Sequence, residues 1–155
     1  MKRFFNAILL SRVVAAILLI AVAVLAWILP LVVESVCGTR DLIGDRANLT
    51  EAGQGFILAV AYLMLAVAAL AILLLWRLLG VVSRGAVFSE KTPRLLAWVA
   101  LCCFGEAALF LSLVYWFQLA LGAVLAASFV GLCLWVVRSV LSEACRIKAE
   151  NDYTI

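Results

Sequence analysis

No histidine occurs in the 155 residues, which removes the side chain most used as a general base and a common metal ligand. Charge is scarce as well. Only 14% of residues are Asp, Glu, Lys or Arg against 68% apolar, a balance that excludes a soluble domain of this length. Proline appears twice, at Pro30 and Pro93. There is no CxxC pair, no glycine-rich phosphate loop, no nucleophile elbow and no carboxylate dyad. With no nucleophile–base pair, the chain is expected to be no enzyme and to need no cofactor or metal. Of the five cysteines, only Cys37 falls outside the apolar runs on the far side from the termini, so the paired outer cysteines of a four-span thiol oxidase are missing. Cys102, Cys103 and Cys133 read as small apolar fillers.

What is present is four long apolar runs, Val13–Val33, Phe56–Trp76, Leu95–Tyr115 and Leu119–Val140, each of 21 or 22 residues. At 1.5 Å per residue each makes a helix of roughly 31 Å, matching the ~30 Å hydrocarbon core of a bilayer. The fold class expected is therefore an all-α integral membrane protein, a bundle of four transmembrane helices. About 70 residues remain outside the runs, in no piece long enough for a soluble domain, so 1–155 reads as one membrane domain. Lys2 and Arg3 followed by Ala21-Val22-Ala23 resemble a cleavable signal, but the run continues unbroken to Val33, and a retained first span is the better reading.

Lysines and arginines divide ten to two between alternate sides of the spans. The positive-inside bias places both termini and the 77–94 connection in the cytoplasm, N-in and C-in. The basic residues thus report topology, and no direct contact with nucleic acid is expected. Asn48-Leu49-Thr50-Glu51 fits a capping box opening the second helix, and it also matches a glycosylation sequon. Thr92-Pro93 fits an N-cap with proline at the first helical position. A short interfacial segment is expected around Val81–Phe88. The Trp116–Gln118 connection forces helices three and four into a tight hairpin. Pro30 lies one turn from the outer end of the first run, where a kink is tolerable.

Glu106 is the one Asp, Glu, Lys or Arg deep in the interior of a run, Arg138 lying two residues from the end of the fourth. A carboxylate near the bilayer midplane costs several kcal/mol unless paired or protonated. Folding the hairpin about Phe117 brings Ser128 to the same depth. Three readings stay open: a protonated Glu106 bonded to Ser128 or a backbone carbonyl, a site for ion, proton or cationic-ligand handling, and a role in an interface. Ala123, Ala127 and Gly131 recur every fourth residue on helix four, a small-residue stripe suited to close helix packing, within the chain or in a homo-oligomer. Beyond Val140 the helix pattern continues, and the chain ends in Glu150-Asn151-Asp152-Tyr153-Thr154-Ile155. That polar-then-apolar end fits either a frayed terminus or docking onto a cytoplasmic partner.

The inner loop Gly85-Ala86-Val87-Phe88-Ser89-Glu90 followed by Arg94-Leu95 resembles the "G-x-x-F-S … R-x-L" opening of helix three in a bacterial membrane family, domain of unknown function 2975 (DUF2975). The terminal Glu150-Asn151-Asp152-Tyr153-Thr154-Ile155 resembles that family's closing "E-N-D-L-T-I", with Tyr153 in place of its usual Leu. Members also usually carry an Asn and a denser Arg cluster where this chain has Thr92-Pro93-Arg94-Leu95-Leu96. The resemblance implies four spans and a location in the bacterial cytoplasmic (inner) membrane, and no agreed site. Members are often encoded beside a small Cro-like helix-turn-helix regulator, which implies a membrane partner of a DNA-binding protein. On that reading Arg84, Phe88, Arg94, Asp152, Tyr153 and Ile155 form a cytoplasmic docking face. The alternative is a small ion- or proton-coupled transporter or channel using Glu106. Small multidrug exporters likewise have four spans and one membrane glutamate, but carry it in the first helix.

Overall fold

The computed structural model describes residues 2–38, 51–83, 91–115 and 117–152, and they form four α-helices with no strand among them. These are α1 (Lys2–Gly38), α2 (Glu51–Ser83), α3 (Lys91–Leu113) and α4 (Ala120–Asp152). Each holds a stretch long and apolar enough to cross a membrane: Leu9–Ser35, Gly53–Ser83, Thr92–Leu113 and Ala120–Lys148. The apolar side chains point mostly outward. Trp27 is 87% exposed and Leu119 90%, while ten small or medium apolar residues make up the buried set among the described residues. Exposing a large apolar side chain to water forfeits about 1.5–3 kcal/mol each, so the pattern is compatible with that of a multi-pass membrane protein.

Three helices run past the expected span limits at the end that carries most of the arginines. α1 starts at Lys2, α2 continues to Ser83 and α4 reaches Asp152, whereas the apolar runs stop at Val13, Trp76 and Val140. At 33 residues, α4 is about 50 Å long, some 20 Å more than a hydrocarbon core requires. Val81, Val82 and Ser83 continue α2 rather than forming a separate segment; the rest of that expected segment and the Asn48–Thr50 cap lie outside the described residues. α3 starts at Lys91, so Thr92 and Pro93 sit in its first turn instead of at its cap. Proline is harmless there because the first N–H groups of a helix have no partner within it. Thr92 is 3% exposed.

Packing follows chain order. α1 lies on α2, α2 on α3 and α3 on α4, and among the described residues no other pair of helices brings Cα atoms within 8 Å. The four helices therefore form a row with α2 and α3 in the middle, and α3 contributes most of the buried residues: Leu96, Val99, Ala100, Cys102, Ala107 and Leu113. At the end opposite the arginines, Ile57 and Val60 of α2 pack on Leu113 of α3, with Val33 of α1, Phe117 and Ala120 closing the cluster.

The α3–α4 hairpin is as tight as expected, although its connection is longer than Trp116–Gln118. α3 stops at Leu113, and the chain turns through residues 114–119. Phe117 is the corner. Its N–H donates to the Leu113 carbonyl (2.9 Å) and its carbonyl accepts from Ala120 N–H (3.0 Å), which satisfies backbone groups at the end of one helix and the start of the next. The register follows. Gly131 meets Cys103 and Phe104, and a Cβ at Gly131 would stand 3.2 Å from Phe104 Cε1 and 3.3 Å from Cys103 Cβ. Only glycine lets the two backbones come this close without displacing Phe104.

Candidate functional site

Glu106 sits on the inner face of α3, where the row of helices curves around a cavity of about 590 Å³. All four helices line it: Leu29 from α1, Met64 and Leu65 from α2, Cys103 and Phe110 from α3, and Ala127 from α4. Apart from Glu106 the lining is apolar. The carboxyl Oε1 is buried and has no hydrogen-bond partner among the described residues. Ser128 does come to the depth of Glu106, as the Gly131–Cys103 contact requires, but no hydrogen bond joins it to Oε1. The reason is helical phase. Ala127, one step of about 100° earlier on α4, faces the cavity, whereas Ser128 does not line it. An unpaired carboxyl oxygen in an apolar cavity is costly, and nothing in the packing compensates for it.

Two members of the small-residue stripe are placed inside the chain: Gly131 packs on Cys103 and Phe104, and Ala127 lines the Glu106 cavity. Cys102 is buried, Cys103 half-buried and Cys133 exposed; all three are free thiols, as is Cys145. No group of three or more His, Cys, Asp or Glu side chains capable of holding a metal ion occurs among the described residues.

Of the expected docking residues, Arg94 is described and exposed in the first turn of α3. Asp152 is the last residue of α4. Arg84, Phe88, Tyr153 and Ile155 lie outside the described residues. The helix leading to the terminus is laced by ion pairs: Arg146 reaches Glu143 at 2.6 Å and Glu150 at 3.3 Å, all exposed. Such i,i+3 and i,i+4 pairs support an extended helix by a few tenths of a kcal/mol each.

A second cavity, of about 570 Å³, was not legible in the sequence. It lies at the arginine-rich end and is lined by Arg12 of α1, Trp76, Arg77 and Gly80 of α2, and Arg94 and Trp98 of α3. Arg12 Nη2 donates to Ser83 Oγ at 3.2 Å, and Ser83 Oγ in turn donates to the Gly80 carbonyl at 2.9 Å. Arg12 Nε, by contrast, is buried without a partner. The available signal is that Arg12, Arg77 and Arg94 each border an apolar run at the same end, whereas a count of charges reports only topology.

No curated protein and no solved structure matches the chain. A family profile described as "Protein of unknown function (DUF2975)" matches residues 22–155, nearly the whole length and both motif regions. The chain therefore belongs to the DUF2975 family, which is described only as of unknown function.

Proposed function

We propose that this chain is a non-enzymatic, multi-pass protein of the bacterial cytoplasmic membrane, with both termini in the cytoplasm, that acts as the membrane partner of a cytoplasmic helix-turn-helix regulator. The observation that carries this reading is the reach of α4. It continues as one helix for three further turns beyond Val140, along which the Glu143–Arg146–Glu150 pairs run, and in a membrane this extension would carry the chain's end away from the lipid. The N-terminal turns of α1 and the last turns of α2 rise at the same end. Arg94, together with Arg84, Phe88, Asp152, Tyr153 and Ile155, would supply the docking face.

The test compares the intact chain with one lacking Lys148–Ile155 in native membranes. The reading requires that a DNA-binding protein cross-links and co-purifies only with the intact chain, and that expression of its target genes changes on truncation. Loss of neither would remove it.

A second reading is favoured by a different observation, the partnerless Glu106 Oε1 in a cavity that all four helices line. In this reading the chain is a small ion- or proton-coupled transporter or channel, with Glu106 as the coupling carboxylate. Proton-coupled flux in reconstituted vesicles that disappears in Glu106→Gln supports it. Unchanged flux in that variant, or none in the parent, ends it.

A further inference from the structure

We propose that the cavity between Arg12, Arg77 and Arg94 is a built site for one anionic phospholipid, with the phosphate of its headgroup held by the three guanidinium groups and an acyl chain lying along α1 and α2. This inference does not depend on either functional reading above; it requires only that the four apolar helices sit in a bilayer.

The charge argument comes first. Three arginines from three different helices line one open cavity, Arg12 half-buried and Arg77 and Arg94 exposed, and among the described residues none of them has a carboxylate within ion-pair distance. Like charges brought together repel, and a buried guanidinium N–H without an acceptor adds a further cost. Arg12 shows both features: one Nη is tied to Ser83, while Nε is buried and unsatisfied. The missing component is an anion with several acceptor oxygens, and guanidinium groups match phosphate in just this way.

The shape argument chooses the source of that phosphate. Trp76 and Arg77 line this cavity and also a second one, of about 660 Å³, on the α1–α2 surface. The other walls of the second cavity are Ala16, Leu19 and Ile20 of α1 and Leu70, Leu73 and Leu74 of α2, an apolar trough running away from the arginines along the helices. A free phosphate would have no use for that trough. A phospholipid fills both halves, with its phosphate at the level where Trp76 and Trp98 mark the interface and its chain against the leucines.

The experiment uses the full chain in nanodiscs of phosphatidylcholine and phosphatidylglycerol in equal amounts. After gentle ejection, native mass spectrometry reads which lipids stay bound. The parent should retain one phosphatidylglycerol in preference to phosphatidylcholine. An Arg12→Gln, Arg94→Gln double variant should lose that preference by roughly thirtyfold. Leu73→Trp, which plugs the trough and leaves every arginine in place, should also weaken retention, and it stands in should the double variant fail to fold. Arg138→Gln, a basic interfacial change over Trp135 on α4 and outside the cavity, should keep it.

Three results overturn the proposal. One is equal retention of the two lipids by the parent. Another is an Arg138→Gln loss as large as that of the double variant, which would mean bulk attraction of anionic lipid. The third is displacement of phosphatidylglycerol by millimolar inorganic phosphate, with Leu73→Trp behaving as the parent, which would identify a free-anion site.

Discussion

Tyr62 of α2 donates its hydroxyl to the carbonyl of Ala26 on α1, at 3.4 Å. Ala26 is the residue four before Pro30, so its carbonyl is the one that Pro30, lacking an N–H, leaves without its helical donor. α1 passes unbroken through a proline, and its neighbour offers a replacement donor at long hydrogen-bond distance, the kind of re-satisfaction available to proline-containing helices in lipid. The two residues should therefore couple. Tyr62→Phe is expected to cost about 0.5–1 kcal/mol in the parent and close to nothing in a Pro30→Ala background, where Ala26 regains its own partner. Unfolding of the four proteins in mixed micelles closes the cycle, and equal losses in both backgrounds would refute the link.

Gly131 sets the separation of α3 and α4. Gly131→Ala asks Phe104 and Cys103 to yield by a few tenths of an ångström and should be mild. Gly131→Leu drives a branched side chain into Phe104 and should cost about 1–3 kcal/mol, visible as a lower thermal midpoint in detergent. A tolerant Gly131→Leu would mean that the hairpin packs more loosely than its geometry requires.

Removing the Glu106 carboxyl should stabilise the protein. Glu106→Leu fills the same cavity with apolar atoms and relieves a buried oxygen that has no partner, for an expected gain of about 1–3 kcal/mol in the same unfolding assay. A gain of this sign marks a residue retained for something other than the fold. Destabilisation would instead assign Glu106 a structural bond.

Cysteine labelling tests orientation directly. Cys145 is half-buried on α4 beyond the apolar run, whereas Cys133 is exposed but lies within it. A membrane-impermeant maleimide should reach Cys145 in inverted vesicles and not in intact spheroplasts, and should reach Cys133 in neither. The opposite pattern for Cys145 would place the C-terminus outside.

The ion pairs on the last turns of α4 should matter little to stability. Glu143→Ala and Glu150→Ala are each expected to shift it by less than about 0.5 kcal/mol, with the effect fading at high salt. A larger loss would show that this part of α4 is braced by something beyond its own charges.

The helices were legible in the sequence because lipid-crossing runs depend on length and composition, and those need no knowledge of neighbours. The hairpin register was legible too, because a short connection leaves only one way to fold about Phe117. Side-chain phase was not. Depth alone matched Ser128 to Glu106, yet depth does not say which way a residue points, and Ala127 took the facing position. The arginine cavity stayed hidden for a related reason. Its three members lie on three helices, and only the order of packing, α1 on α2 on α3, brings them together.

That order of packing also bears on how the protein is made. Among the described residues, close backbone approach occurs only between helices next to each other in the chain, so most of the packing forms between successive segments. As the ribosome delivers α2, α3 and α4 in turn, each finds its docking partner already in place. Most of the assembly can then keep pace with translation, and the Glu106 cavity, which all four helices line, is completed only when α4 arrives.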